Sequence, residues 1–286
     1  MVRRHAAAAL LVCAGVVWLY SDVLSSLVRQ WASDDDYSHG FFVLPLALYF
    51  CWERRHLLQR SPLRPSLFGL MLVAASLFVF LAGVLGAELF LTRISLIGVL
   101  GGAVLFIWGR DHFRTVLFPL AFLLLMIPLP AIVFNQLAFP LQLLASRLGE
   151  TVIAGAGIPV LREGNVLHLA STSLEVAEAC SGIRSLVSLL MLGVVLGYFT
   201  EERTTGRVIL ALATVPIAIV ANAARVAGTG LASHWMGPAA AQGFFHGFSG
   251  WLVFLVALAG LVITQQIIAR VRFSRAPHPQ VPVAAS

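Results

Sequence analysis

The stretch LFGLMLVAASLFVFLAGVLGAELFLTRISLIGVLGGAVLFIW, at residues 67–108, decides the fold class of this chain. It contains two long apolar runs, 67–87 and 91–108, which are separated by a tight turn near Glu88. A helix that crosses the hydrocarbon core of a bilayer needs about 20 mostly apolar residues. The stretch therefore predicts two consecutive membrane-spanning helices.

The rest of the chain has the same apolar character. Its 286 residues are 59% hydrophobic and only 11% charged, with a mean hydropathy of +0.91. Soluble domains average roughly 45–50% apolar and about 25% charged residues. This composition excludes an ordinary soluble enzyme and a disordered protein. The three cysteines are too few for a disulfide framework or a Cys-rich zinc site, and we expect neither a metal nor a cofactor.

The apolar segments predict an all-α polytopic membrane protein with about eight transmembrane helices and a small β-like extracytoplasmic segment. We expect one transmembrane domain over 1–268 and a disordered cytoplasmic tail over 269–286. Seven of the predicted spans lie at about 6–28, 41–52, 67–87, 91–108, 183–199, 208–227 and 244–268. The remaining span, the fifth in order, begins after Arg114 and is ended or kinked by Pro128 and Pro130.

Two segments between the fifth and sixth spans have a different pattern. Residues 135–148 carry apolar side chains at helical spacing and suit an amphipathic helix that lies in the membrane interface. Residues 158–178 alternate apolar and polar side chains around Glu163-Gly164-Asn165, which resembles a hairpin turn.

Arginine provides all 19 basic residues, and their distribution predicts the orientation of the spans. With a cytoplasmic N-terminus and eight spans, 13 arginines fall inside and six outside. Counting the acidic residues as well gives a net charge of +9 inside and −3 outside. This excess follows the positive-inside rule, so we expect both termini in the cytoplasm.

Three chemically useful side chains lie at the predicted outer ends of different spans. Cys180 opens the sixth span, Arg225 lies toward the end of the seventh and His246 lies at the start of the eighth. Ionisable groups beside membrane spans are costly and are therefore functional candidates. A thiolate attacks carbonyl carbons, a guanidinium stabilises an oxyanion, and an imidazole protonates a leaving amine.

Neighbouring residues support this chemistry, although each site residue also has a structural interpretation. Arg184 lies one turn after Cys180, and Asn222 shares a helix face with Arg225 and can orient its guanidinium. In the structural interpretation Cys180 serves close helix packing, and His246 packs among aromatic rings. Arg225 then forms an internal salt bridge or caps backbone carbonyls. The other two cysteines, Cys13 and Cys51, are expected as small buried hydrophobic residues.

Four short motifs resemble those of the exosortase/archaeosortase family of membrane transpeptidase-like proteases. They are DDDYSHGF at 34–41, EACSG at 178–182, NAAR at 222–225 and FFHGFSGW at 244–251, and the resemblance covers roughly residues 37–268. It implies a nucleophilic Cys180, an essential Arg225 and a His246 that is typical of the exosortase branch.

The resemblance also implies a substrate and a location. Exosortases act on exported proteins that end in a Pro-Glu-Pro motif, one membrane helix and a basic tail. They cleave near the motif at the outer face of the bacterial cytoplasmic membrane and transfer the new carboxyl terminus. Membrane lipid is then the other expected partner, and nucleic acid is not expected.

Lower-ranked candidates flank these motifs. Three roles are open for His39 in the acidic loop: it contacts substrate, gates access to the site or is merely solvated. Two roles are open for Glu175 and Glu178, which either polarise His246 or pair with Arg184. Residues 158–178 either bind an extended signal by adding a strand or form a plain surface flap. Two other functions also fit the composition, a small-molecule transporter or flippase-like carrier and a non-catalytic scaffold in polysaccharide export.

Overall fold

The computed structural model describes residues 2–34, 37–170, 172–176, 182–237 and 244–274. The chain divides into two compact units, residues 1–134 and 135–286. The described part of the first unit is helical, with α1 (Val2–Leu19), α2 (Ser21–Ser33), α3 (Gly40–Glu53), α4 (Arg55–Arg60), α5 (Leu67–Leu85), α6 (Leu89–Ile107), α7 (Arg110–Phe122) and a 3₁₀ turn (Leu123–Met126).

The second unit combines helices with a small sheet. Helix α8 begins just before the division between the units and is followed by three strands and three further helices. The elements are α8 (Ala131–Gly155), β1 (Val160–Glu163), β2 (Val166–Leu169), β3 (Ser173–Glu175), α9 (Gly182–Thr200), α10 (Thr204–Met236) and α11 (Phe244–Ser274).

Four of the described helices are long and apolar enough to cross a membrane: α5, α6, α10 and the Trp251–Val271 part of α11. Two helix pairs with short breaks, α1 with α2 and α7 with α8, raise the number to six if each pair forms one span. Helices α3 and α9 are apolar but shorter. The prediction of an all-helical polytopic membrane protein with a small sheet is confirmed, whereas the count of about eight spans is not.

The predicted first span, 6–28, is wrong as a single helix. The chain breaks at Tyr20, and the helices on either side are bent by 64°. Tyr20 is fully buried, its hydroxyl lies 3.0 Å from Oγ of Ser95, and its ring packs against Phe80 at 4.8 Å. These contacts hold Tyr20 against α5 and α6 at the point where the helix changes direction.

Three other helices are longer than predicted. Helix α10 extends beyond the predicted span 208–227 at both ends. Helix α8 covers the predicted interfacial segment 135–148 and extends beyond it at both ends. Helix α11 continues to Ser274, past the expected start of the tail at residue 269. Residues 275–286 lie outside the described part of the chain.

The β-like segment forms an antiparallel sheet in the order β1-β2-β3. Glu163 pairs with Val166, which leaves Gly164 and Asn165 as a two-residue turn and confirms the predicted hairpin. Gly164 has a φ of +65°, as the first turn position of a type II′ hairpin requires. The sheet packs on α8 and α10 through a shared apolar core that includes Ala145, Ile153, Leu167, Leu174, Val176, Val226 and Ala227.

Helices α9, α10 and α11 pack around a second apolar core, in which Leu189, Leu210 and Leu261 are fully buried. A Cβ atom at Gly193 would lie 2.6 Å from Cγ2 of Thr214, so α9 approaches α10 closely where the glycine has no side chain. This close packing sets the register of the helices that carry the candidate site.

Candidate functional site

Asn222 and Arg225 of α10 line one narrow cleft between α9, α10 and α11. Asn222 is buried and Arg225 is partly buried, so the guanidinium lies in a mostly apolar setting. The prediction that the two side chains share a helix face is confirmed by their place in the same cleft. The remaining lining residues are apolar: Leu189, Ala218, Ala221, Val253, Phe254 and Ala257.

The start of α9 lies level with Arg225. Helices α9 and α10 are antiparallel neighbours, and Gly193 packs against Thr214. Gly182 lies eleven residues before Gly193, and Arg225 lies eleven residues after Thr214. Because both helices rise about 1.5 Å per residue, Gly182 and Arg225 lie at the same height along the helix pair. Cys180, two residues before Gly182, lies outside the described residues, and the side chain of Arg184 is not described either.

Helix α11 places the backbone of His246 farther along the bundle. Gly260 packs against Ile217, with an added Cβ 3.5 Å from its Cγ2. Counting fourteen residues from each puts His246 level with Leu231, six residues beyond Arg225. Six residues correspond to about 9 Å along a helix axis. The side chain of His246 is outside the described part of the structure.

The sheet packs against α10 at the residue that follows Arg225 in the sequence. Val226, the next residue on α10, shares an apolar core with Leu174 and Val176, and Val176 precedes Cys180 by four residues in the sequence. Close approach of α8 to α10 depends on a small residue, because a Cβ at Gly149 would lie 2.7 Å from Cγ1 of Val226. The sheet and the cleft therefore lie against the same part of α10, since Val226 contacts the one and Arg225 lines the other.

Of the two acidic candidates, the structure describes only Glu175. Glu175 is exposed on β3, and no ion pair joins it to another described residue. Glu178 lies outside the described residues. Nearby on the same unit, Glu150 of α8 forms an ion pair with Arg162 of β1 at 2.9 Å, which ties the sheet to α8.

His39 is a buried residue of the first unit and not a solvated loop residue. It is 6% exposed, and its Nε2–H donates to the carbonyl oxygen of Leu125 at 3.1 Å. Burial lowers the pKa of His39, which favours the neutral imidazole. Close by, Nε1–H of Trp31 donates to the carbonyl of Met126 at 3.1 Å. The interpretation of His39 as merely solvated is therefore wrong.

Sequence reasoning did not single out Arg93, which the structure buries inside α6. Arg93 is 3% exposed, its Nη2 donates to Oγ of Ser26 at 3.4 Å, and its Nε has no hydrogen-bond partner among the described residues. The signal was available, since Arg93 is the only charged residue within the apolar run 91–108. An ionisable residue within a span is a functional candidate.

The two cysteines expected to be structural do not behave alike. Cys51 is half-buried on α3, whereas Cys13 is exposed on α1 and was wrongly expected to be buried. Both are free thiols.

The family model of the transmembrane exosortases matches residues 31–263, which is most of the chain. The match includes the loop that carries His39 as well as Cys180, Arg225 and His246. Comparison with curated proteins found no match, and comparison with solved structures found none.

Proposed function

Because this chain belongs to the transmembrane exosortase family, we propose that it is a cysteine transpeptidase that processes the C-terminal sorting signal of exported proteins. Its substrates carry a Pro-Glu-Pro motif, one membrane helix and a basic tail. The protein lies in the bacterial cytoplasmic membrane with both termini in the cytoplasm, and the site faces outward.

The observation that carries this proposal is the cleft that holds Asn222 and Arg225. A cation that is fixed among apolar side chains interacts strongly with a developing negative charge, because the local dielectric is lower than that of water. The cleft is formed by α9, which begins two residues after Cys180, by α10 and by α11, which carries His246. Arg225 and His246 thus belong to two of the elements that form the cleft, and Cys180 precedes the third by two residues in the sequence.

The proposed reaction has two steps. The thiolate of Cys180 attacks the scissile carbonyl carbon, a C–S bond forms, and Arg225 donates hydrogen bonds to the oxyanion. The C–N bond then breaks while His246 gives its proton to the leaving amine. An amine, hydroxyl or water attacks the resulting thioester, which releases the thiol and leaves the carboxyl group on the acceptor.

Replacing the proposed nucleophile tests this function directly. The Cys180→Ala variant should abolish shortening of a co-expressed tagged substrate, as measured by mass spectrometry of the substrate C-terminus. Cys13→Ala and Cys51→Ala are matched controls, since they also remove a free thiol, and both should process substrate normally. Unimpaired cleavage by Cys180→Ala would refute the proposal.

Labelling with a membrane-impermeant thiol reagent tests the orientation of the site. In a variant that lacks Cys13 and Cys51, the reagent added to spheroplasts should label Cys180 and block processing. Labelling only after the membrane is opened would contradict the outward-facing site. A carrier would continue transport after the thiol is removed, and a scaffold would tolerate Cys180→Ala.

A further inference from the structure

The sheet of the second unit has an exposed edge at β3, the strand that precedes Cys180. The strand order is β1-β2-β3, and among the described residues β2 is the one strand that pairs with β3. Ser173 and Glu175 are exposed, whereas Leu174 between them is 7% exposed and belongs to the apolar core. β3 therefore has one polar face, one apolar face and one open side.

Hydrogen bonds of the sheet show which backbone groups point to the open side. The N–H of Leu169 donates to the carbonyl of Thr172 at 2.8 Å, and the N–H of Val176 donates to the carbonyl of Asn165 at 2.9 Å. Backbone groups alternate sides along a strand, so those of Ser173 and Glu175 point away from β2. Among the described residues these groups have no backbone partner in another element.

We propose that this edge binds the sorting signal as a fourth, antiparallel strand, with the glutamate of Pro-Glu-Pro opposite Ser173. This inference rests on the function proposed above, since it takes its ligand from the substrate class. β-Strand addition uses main-chain hydrogen bonds for affinity and alternate side chains for specificity.

The alternation of proline and glutamate fits a single open edge. In an extended segment the N–H and C=O of the glutamate point to one side, and the two proline nitrogens point to the other. The glutamate can therefore exchange both hydrogen bonds with Ser173, while the prolines, which have no N–H, lie on the solvent side where strands tolerate them. The two proline rings then lie on the apolar face of the sheet, beside Leu174.

Alternative registers are less favourable. Pairing opposite Glu175 would place two carboxylates at direct cross-strand distance, which destabilises the pair. Parallel pairing would place the signal glutamate on the apolar face with Leu174, where an unpaired charge is costly. Opposite Ser173 the glutamate lies on the polar face, where Oγ of Ser173 and Nδ1 of His168 are 2.8 Å apart and share a hydrogen bond.

Disulfide trapping tests the pairing in the full-length protein. Each trapping variant is made in a protein without native cysteines, which carries Cys13→Ala, Cys51→Ala and Cys180→Ala. The substrate carries a cysteine in place of the signal glutamate. Residues directly opposite in an antiparallel pair lie about 4.5–5.5 Å apart between Cα atoms, within the range of a disulfide. Ser173→Cys should therefore form an intermolecular disulfide with the substrate in membranes.

Two single-cysteine controls define the register. Glu175→Cys is diagonal to the substrate cysteine at about 7–8 Å and should form little disulfide. Leu161→Cys lies on the same face and pairs with His168, but it is on the far strand, about 14 Å from the added strand. Equal or stronger trapping at either control, or none at Ser173→Cys, overturns the proposed pairing.

Cleavage kinetics provide a second measurement that does not alter the substrate. Ser173→Pro removes the outward N–H without removing a backbone hydrogen bond to β2, although it also removes the hydroxyl that is hydrogen-bonded to His168. Relative to Ser173→Ala, it should lower kcat/KM about five- to tenfold, the effect of one lost hydrogen bond. Ser173→Ala loses the same side-chain hydrogen bond to His168 but keeps the N–H, so it is the reference for the effect of the N–H alone. Val160→Pro places the same change on the open edge of β1 and should stay near wild type.

These measurements separate the two proposals. If Ser173→Pro and Ser173→Ala cleave equally well, edge binding is refuted while the proposed function stands. If the wild-type protein does not cleave the unmodified substrate, the proposed function fails, and trapping in the Cys180→Ala background still decides whether the edge binds the signal.

Discussion

Replacing Arg225 by glutamine tests the proposed oxyanion stabilisation most directly. Glutamine keeps a polar N–H donor, on a shorter side chain, but removes the positive charge from the cleft. Two unit charges 4 Å apart interact by about 4 kcal/mol at an effective dielectric of 20, and loss of an oxyanion-hole donor costs about 2.7–4 kcal/mol in other enzymes. We therefore expect Arg225→Gln to lower kcat about 10²- to 10³-fold, since each 1.4 kcal/mol is about tenfold.

The assay is single-turnover cleavage of a membrane-anchored substrate in proteoliposomes, followed by mass spectrometry. Arg147→Gln is the matched control, because Arg147 lies on the same unit but is exposed on α8. Arg225→Lys should be intermediate, since it keeps the charge but not the forked donor geometry. A loss of less than about threefold in Arg225→Gln would refute the role given to the guanidinium.

Two further predictions concern folding. Leu167→Ala should destabilise the second unit by about 2–5 kcal/mol, because Leu167 is fully buried between the sheet and the helices. Thermal unfolding in detergent measures this, with the 61%-exposed Leu161→Ala as a control that should change little. Burial lowers the pKa of His39 in the folded chain. As the pH falls below about 6.5, the imidazole is therefore protonated in the unfolded chain before it is protonated in the folded chain, which favours unfolding. Thermal stability should therefore decline on acidification below that pH. His39→Gln, which retains an N–H donor for the Leu125 carbonyl, should flatten this decline, and an unchanged slope would contradict the assignment.

Local patterns were sufficient for much of the fold. The two apolar runs around Glu88 became α5 and α6 with ends within a few residues of those predicted, because hydrophobic length alone defines such helices. Gly164 and Asn165 formed the predicted turn, since a positive φ at a two-residue hairpin is a local requirement met by glycine.

Long-range contacts determined what hydropathy could not predict. The break at Tyr20 depends on Ser95, 75 residues away in the sequence, and an apolar run carries no sign of such a partner. In the candidate site, the spacing of Asn222 and Arg225 predicted their shared face. The offset of His246 along α11 depends instead on how Gly260 meets Ile217, which is a property of packing between helices.

The paired hydrogen bonds of Trp31 and His39 have a consequence for biosynthesis. Pro130 has no N–H to donate to the Met126 carbonyl four residues earlier, and the chain leaves the helical path at Ile127. The 3₁₀ turn after α7 therefore cannot satisfy its own last carbonyls. Trp31 and His39 donate to Met126 and Leu125 instead. A buried carbonyl that is left without a partner costs about 1–3 kcal/mol. Stable insertion of α7 by the translocon should therefore require that α2 and the loop before α3 are already in place.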